Sequence, residues 1–146
     1  MLGSLPGDAS LSARRYYAHP TNQFWRLLGA ALGEDLQRLD YARRLERLAE
    51  RRVGLWDVIA SATRTGSLDQ AIRDAEHNRI EHLLNDYPEL QAIAFNGSAA
   101  ALAGRKLIGS PPAVALIDLP SSSAANTRPF EQKVGRWSIL RQYLQP

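Results

Sequence analysis

Three stretches of this chain set amides, hydroxyls and an aromatic ring close together. The first is Gly7-Asp8, followed by Tyr17-Ala18-His19-Pro20-Thr21-Asn22. The second is Asn96-Gly97. The third is Ser121-Ser122-Ser123, with Asn126 and Arg128 just beyond. A carboxamide has a donor end and an acceptor end, so Asn22 and Asn96 can each orient a water or read a ligand edge. Serine hydroxyls, backbone amides and an arginine fork suit phosphate. A tyrosine offers a face for stacking. Other chemistries are excluded. With no cysteine there is no thiolate nucleophile, cysteine-ligated zinc, iron–sulfur cluster or disulfide framework. His77 and His82 do not share a helix face and no HExxH pattern occurs, so no metal and no other cofactor is expected. Lysine occurs only at Lys106 and Lys133, outside all three stretches, so no Schiff-base nucleophile is expected there.

The elements that must hold these stretches read as follows. The chain's 146 residues, 45% hydrophobic, make one domain, 1–146, with a sizeable core. No apolar run is long enough to span a membrane, and the start lacks a signal pattern, so a cytoplasmic protein is expected. A net charge of +3 permits an anionic partner. Met1 to Gly7 reads as a strand tail entering a Gly/Pro turn, and Ala9 to Arg15 as a loop or a short helical turn. Pro20 suits a helix start, with Phe24, Leu27, Leu28 and Ala31 at helical spacing and Gly33 as C-cap. Asp40 can cap a second helix, in which Arg43 to Arg52, interleaved with Glu46 and Glu50, reads as a solvated face with i,i+4 pairs. Ser67 is a candidate N-cap with Asp69 in its first turn, and Ile80, Leu83 and Leu84 mark a helix ended before Pro88. Gln91 to Phe95 and Ala113 to Leu119 are apolar strand-length runs around an alanine-rich helix from Ser98 to Leu107. Phe130, Val134, Trp137 and Leu140 make a final amphipathic helix. Strands that are apolar on both faces predict a parallel sheet covered by helices. In such sheets ligands meet the loops after the strand carboxyl ends, which are the three stretches above.

Gly3-Ser4-Leu5-Pro6-Gly7-Asp8, then Tyr17-Ala18-His19-Pro20-Thr21-Asn22-Gln23-Phe24-Trp25, resembles the uracil-DNA glycosylase superfamily. Gly54-Leu55-Trp56-Asp57-Val58-Ile59, Phe95-Asn96-Gly97 and Leu119-Pro120-Ser121-Ser122-Ser123-Ala124-Ala125-Asn126 extend the match in order and spacing. The pattern is most similar to the hypoxanthine-DNA (deoxyinosine) glycosylase branch and covers essentially the whole chain. The resemblance implies a three-layer α/β/α fold with a short, mostly parallel central sheet. It also implies hydrolysis of the N-glycosidic bond of a deaminated base in DNA, during base excision repair, with the base extruded into a pocket. DNA carrying such a base is the expected partner, and no obligate protein partner is evident. Four departures stand out. Leu5 occupies the place where pyrimidine-directed relatives carry an Asn or Asp that positions water. Leu119 replaces a histidine found in many relatives, and Ala124 replaces a proline. Only Met1 and Leu2 precede the first motif, so the first strand is expected to be nearly missing.

The resemblance assigns water handling to Asn22, which would accept a hydrogen bond from the water; the alternative is a cap within its own helix turn. Asp8 either assists that water or caps a turn. Gly7, Tyr17, His19 and Asn96 are placed around the base. Tyr17 stacks on it or is a core tyrosine, and Asn96 reads its edge or ends an Asn-Gly turn. His19 contacts DNA or is a structural hydrogen bonder. Ser121, Ser122, Ser123 and Arg128 face the DNA backbone, or the serines form an ordinary flexible loop, and Asn126 holds that loop or contacts the base. Arg128, Lys133, Arg136 and Arg141 make the flank basic, as a DNA-facing or a solvated surface. The rival to an enzyme is a non-catalytic DNA- or nucleotide-binding module that kept the fold.

Overall fold

The computed structural model describes residues 1–63, 68, 73–111 and 113–144, with backbone alone for 60–63 and 73–75. The apolar runs form the sheet. β5 (Ala92–Asn96) and β6 (Ala115–Leu119) pair in parallel along their whole length, from Ala92 opposite Ala115 to Asn96 opposite Leu119. β1 (Leu2–Gly3) meets β5 at Leu2 and Phe95, and pairs on its other side with β2 (Trp56–Asp57). The order is β2-β1-β5-β6, all parallel. β1 is only two residues long, but its carbonyls are used: Val58 N–H bonds Gly3 O at 2.8 Å and Ile59 N–H bonds Ser4 O at 2.9 Å.

The strands are apolar without polar alternation because both faces are covered. Ile93 and Phe95 pack with Leu2, Val58, Ile80, Ala100 and Ala101 on one side. Ala94, Ile117 and Leu119 pack with Phe24, Leu28, Leu48 and Trp137 on the other. The first layer carries α5 (Ser98–Ile108) and the short α4 (Leu83–Asp86). The second carries α2 (Phe24–Leu32), α3 (Tyr41–Glu50) and α6 (Phe130–Trp137). α5 comes so close that a methyl on Gly104 would lie 2.3 Å from Phe95 Cε1, which leaves room for glycine alone.

Local signals place several boundaries where the sequence does. Asp40 Oδ1 accepts from Arg43 N at 2.9 Å and caps α3. Gly33 ends α2 at φ +74°, where a side chain would be strained. Three features differ. Asp8–Ala13 is a full helix, α1. α2 starts at Phe24 rather than Pro20, because Pro20 and Thr21 form a turn in which Asn22 N–H bonds His19 O. An antiparallel hairpin, β3 (Ile59–Thr63) with β4 (Arg73–His77), stands beside the sheet; its irregular register matches the absence of alternation in those segments. The expected Ser67 cap and Asp69 lie outside the described residues.

The charged face of α3 is more than solvated. Its pairs are at i,i+3, Arg43 with Glu46 and Arg47 with Glu50. Arg47 also grips Glu34 with both arms of its fork, at 2.6 and 2.8 Å, and Arg51 binds the same carboxylate. The Arg47 hydrogen bonds, helped by the Arg51 charge, hold the Glu34 carboxyl below the usual glutamate range. The folded state therefore binds fewer protons there than the unfolded chain. The stability this adds is complete above the ordinary glutamate value and is lost as pH falls through the depressed folded one. Glu34→Gln should lower stability by about 1 kcal/mol at neutral pH and low salt, with the gap from the parent closing toward acid pH and in high salt. Melting curves across pH check this; a gap that does not depend on pH refutes it.

Candidate active site

The carboxyl ends of β1, β5 and β6 bring the three stretches together. Asn96 ends β5, Gly97 turns the chain at φ +96°, and Ser121 lies against it: a methyl on Gly97 would sit 3.1 Å from Ser121 Cβ. Ser122 is fully buried. Its N–H donates to Asn96 Oδ1 at 2.9 Å, and Asn96 Nδ2 lies 2.8 Å from its Oγ. Its Oγ lies 2.8 Å from Asn22 Oδ1, across a hundred residues of sequence.

The direction of this chain follows from its fixed donors. A backbone N–H can only donate, so Ser122 N–H identifies the oxygen of Asn96. Asn96 Nδ2 must then donate to Ser122 Oγ, and the serine proton must pass on to Asn22. Independently, Phe24 N–H bonds Asn22 Oδ1 at 3.0 Å, which fixes that amide as well. Asn22 is thereby clamped by its oxygen. This corrects the expectation that Asn22 accepts from water, because both lone pairs of Oδ1 already receive a proton. The end it leaves open is Nδ2, which has no partner among the described residues. Asn22 Oδ1 thus closes a two-residue turn onto Phe24 N–H at the start of α2, and its Nδ2 is left as a donor.

The other predicted residues fall around this chain. Tyr17 adopts φ +54°, rare for a side-chain-bearing residue and costing about 1–3 kcal/mol, so the surrounding structure holds it there. One face of its ring is covered by Phe24, 3.8 Å between centroids and nearly parallel. Its hydroxyl and the Asp57 carboxylate converge over Gly3, where a methyl would lie 2.9 and 2.6 Å from them. Asp57, buried at the end of β2, was not singled out from the sequence as a site residue. Its signal is register, since parallel pairing puts it beside Gly3. Gly7 is the N-cap position of α1, and Asp8 is exposed in the first turn. His19 is exposed, with Nδ1 accepting from Thr21 N at 3.2 Å and 2.9 Å from Thr21 Oγ1. Asn126 Oδ1 accepts from Arg128 N at 3.0 Å, so its side chain shapes the loop, and Arg128 is exposed. Ser121 and Ser123 close short turns through their hydroxyls.

Two expectations are corrected here. Ser122 does not face DNA through its hydroxyl, because that group is buried and bonded on both sides. Lys133 is not on a surface flank. It is 0% exposed, and Nζ donates to Gln23 Oε1 at 3.0 Å, Ser123 O at 3.2 Å and Asn126 O at 2.9 Å. Burial, with the Arg128 charge nearby, holds its ammonium below the usual lysine value. Lys133 shares the stripe of Phe130, Val134 and Trp137 at i+3, and that spacing is the signal that finds it.

A cavity of about 670 Å³ lies elsewhere. It opens at the amino ends of the strands, lined by Met1, Leu28, Val53, Trp56, Tyr87 and Leu140 among others. It holds none of the polar chain, and size alone does not make it the site. Among the described residues no His, Asp and Glu group could hold a metal, and no helix is long and apolar enough to cross a membrane.

A parallel sheet between helical layers, with amides and a stacked tyrosine at its carboxyl edge, defines an open α/β protein. The particular family is plain from comparison: residues 1–144 match the uracil DNA glycosylase superfamily, and the chain belongs to it. It is 41% identical to a hypoxanthine DNA glycosylase of Methanosarcina barkeri, over 94% of this chain and 86% of that one. It is 42% identical to a hypoxanthine DNA glycosylase of Methanosarcina acetivorans, over 96% and 87%. The solution NMR structure of a Methanosarcina acetivorans protein assigned to the uracil DNA glycosylases superposes with a TM-score of 0.84 at 40% identity, covering 97% of this chain and 87% of that one.

Proposed function

We infer that this protein is a monofunctional DNA glycosylase that releases deaminated bases, hypoxanthine first. The observation that carries the site is the Asn96–Ser122–Asn22 chain, which joins the three loops and leaves one amide donor unclaimed. The named relatives support hypoxanthine as the base. Leu5, in the place of the water-positioning Asn or Asp of pyrimidine-directed enzymes, agrees with a purine lesion.

The extruded base enters beside Tyr17 and stacks on its ring. The C1′–N9 bond breaks with its electron pair leaving on the base, and the sugar becomes an oxocarbenium-like cation. Asn22 Nδ2 donates to the water oxygen and holds it at C1′. A second lone pair on that oxygen forms the new C1′–O bond. The water gives up one proton, and the departing base gains one, so hypoxanthine and an abasic sugar result. No strong base is needed, because water adds to a cation already formed. No lysine continues to strand cleavage. Lys106 is in the last turn of α5, which runs back toward the opposite edge of the sheet, and the Lys133 amine is committed to three oxygens.

The test is a panel of labelled duplexes carrying one hypoxanthine, uracil, xanthine or normal base, treated with alkali after incubation. Scission at hypoxanthine only after alkali is the expected result. Scission at uracil alone refutes the base assignment, and scission without alkali refutes the monofunctional one. A folded protein that cuts nothing returns the reading to a binding module.

A further inference from the structure

Lys133 is a buried cation that the reaction above does not use. Its three partners are neutral oxygens, and among the described residues no carboxylate pairs with it. Taking an ammonium out of water is costly, and neutral acceptors offset only part of the cost. The charge nearest it in effect, Arg128, has the same sign. The loop therefore encloses positive charge with no internal counterion.

The same bonds set the direction of two peptides. Among the described residues no peptide bond is cis, and in a trans peptide the C=O and N–H point opposite ways. Ser123 O and Asn126 O point inward to Nζ. The N–H groups of Ala124 and Thr127 must then point outward. Both residues are exposed, and neither N–H has a partner among the described residues. Outward amides over a fixed cation make a seat for an oxyanion. A phosphodiester is the oxyanion that a DNA strand brings.

We propose that Lys133 is a positioning residue, turning the Ala124 and Thr127 amides outward as a seat for a backbone phosphate beside the lesion; this rests on the reading of the protein as a DNA enzyme. Lys133→Met keeps the apolar stem and removes the charge. Its binding to a short undamaged duplex is followed by anisotropy over a salt series. Affinity should fall about tenfold at low salt, and the slope of log K against log salt should shrink by about one. The variant should melt somewhat lower than the parent, because Gln23 Oε1, Ser123 O and Asn126 O lose their donor, so its binding is read well below its melting temperature. Parental affinity and slope in the folded variant overturn the proposal, as does lost affinity with an unchanged slope. Should the variant not fold, the parent protein decides. Labelled with ¹⁵N, it should show the Ala124 and Thr127 amide signals moving as the duplex is added, and signals that stay still while others shift overturn the seat. Binding to undamaged DNA does not depend on base release. A silent cleavage panel with this binding intact therefore defeats only the enzyme reading, and active cleavage with binding indifferent to Lys133 defeats only the seat.

Discussion

Asn22→Ala is expected to lower the single-turnover rate of base release by on the order of 10²–10³ while duplex affinity changes by less than about threefold. Phe24 N–H and Ser122 Oγ–H fix the amide oxygen, so the orientation of Nδ2 is set before substrate arrives. A water held there meets the sugar cation without a search, and a methyl group cannot hold it. Binding should survive, because phosphate and stacking contacts come from other residues. The variant also loses the bond to Phe24 N–H at the start of α2, at about 1 kcal/mol. A melting curve must therefore accompany the kinetics. Equal loss in binding and release would make Asn22 a structural residue, and no loss would remove it from the mechanism.

The sequence made the layers legible and the polar wiring only partly so. Runs such as Ala92 to Phe95 and Ala115 to Leu119, the Asp40 cap and the Gly33 turn are local signals, and local signals survive into the fold. The β3–β4 hairpin has no such signal. Its strands lack alternation, and its register shifts along its length. At the site, Asn22, Asn96 and Ser122 were all marked, but not their mutual bonds. Those bonds arise only when the sheet closes segments far apart in sequence. Which of three consecutive serines turns inward depends on Gly97 and Ser121 packing at the turn, which residue type does not encode. Lys133 misleads for the opposite reason. Charge suggests solvent, and only the loop folded across α6 makes that face interior.

Ser122→Ala separates a buried link from a DNA contact. Ser122 Oγ receives one proton from Asn96 and passes one to Asn22, with no exposure to solvent. Removing it strands the Asn96 amide in a site that is 7% exposed. An orphaned buried donor costs about 1–3 kcal/mol, or ~3–10 °C in a chain of this length. Asn22 keeps the Phe24 bond but loses its second anchor, so Nδ2 swings and base release slows by roughly tenfold to a hundredfold, as displacements near 1 Å do. Duplex affinity should hold, because a buried hydroxyl cannot reach a phosphate. The double variant Asn22→Ala, Ser122→Ala should be no slower than Asn22→Ala alone, since the serine acts only through the asparagine. Multiplying effects in that cycle would give Ser122 a separate role, and weakened DNA binding by Ser122→Ala would return it to the surface. The relay stands only if release slows, binding holds and the cycle fails to multiply.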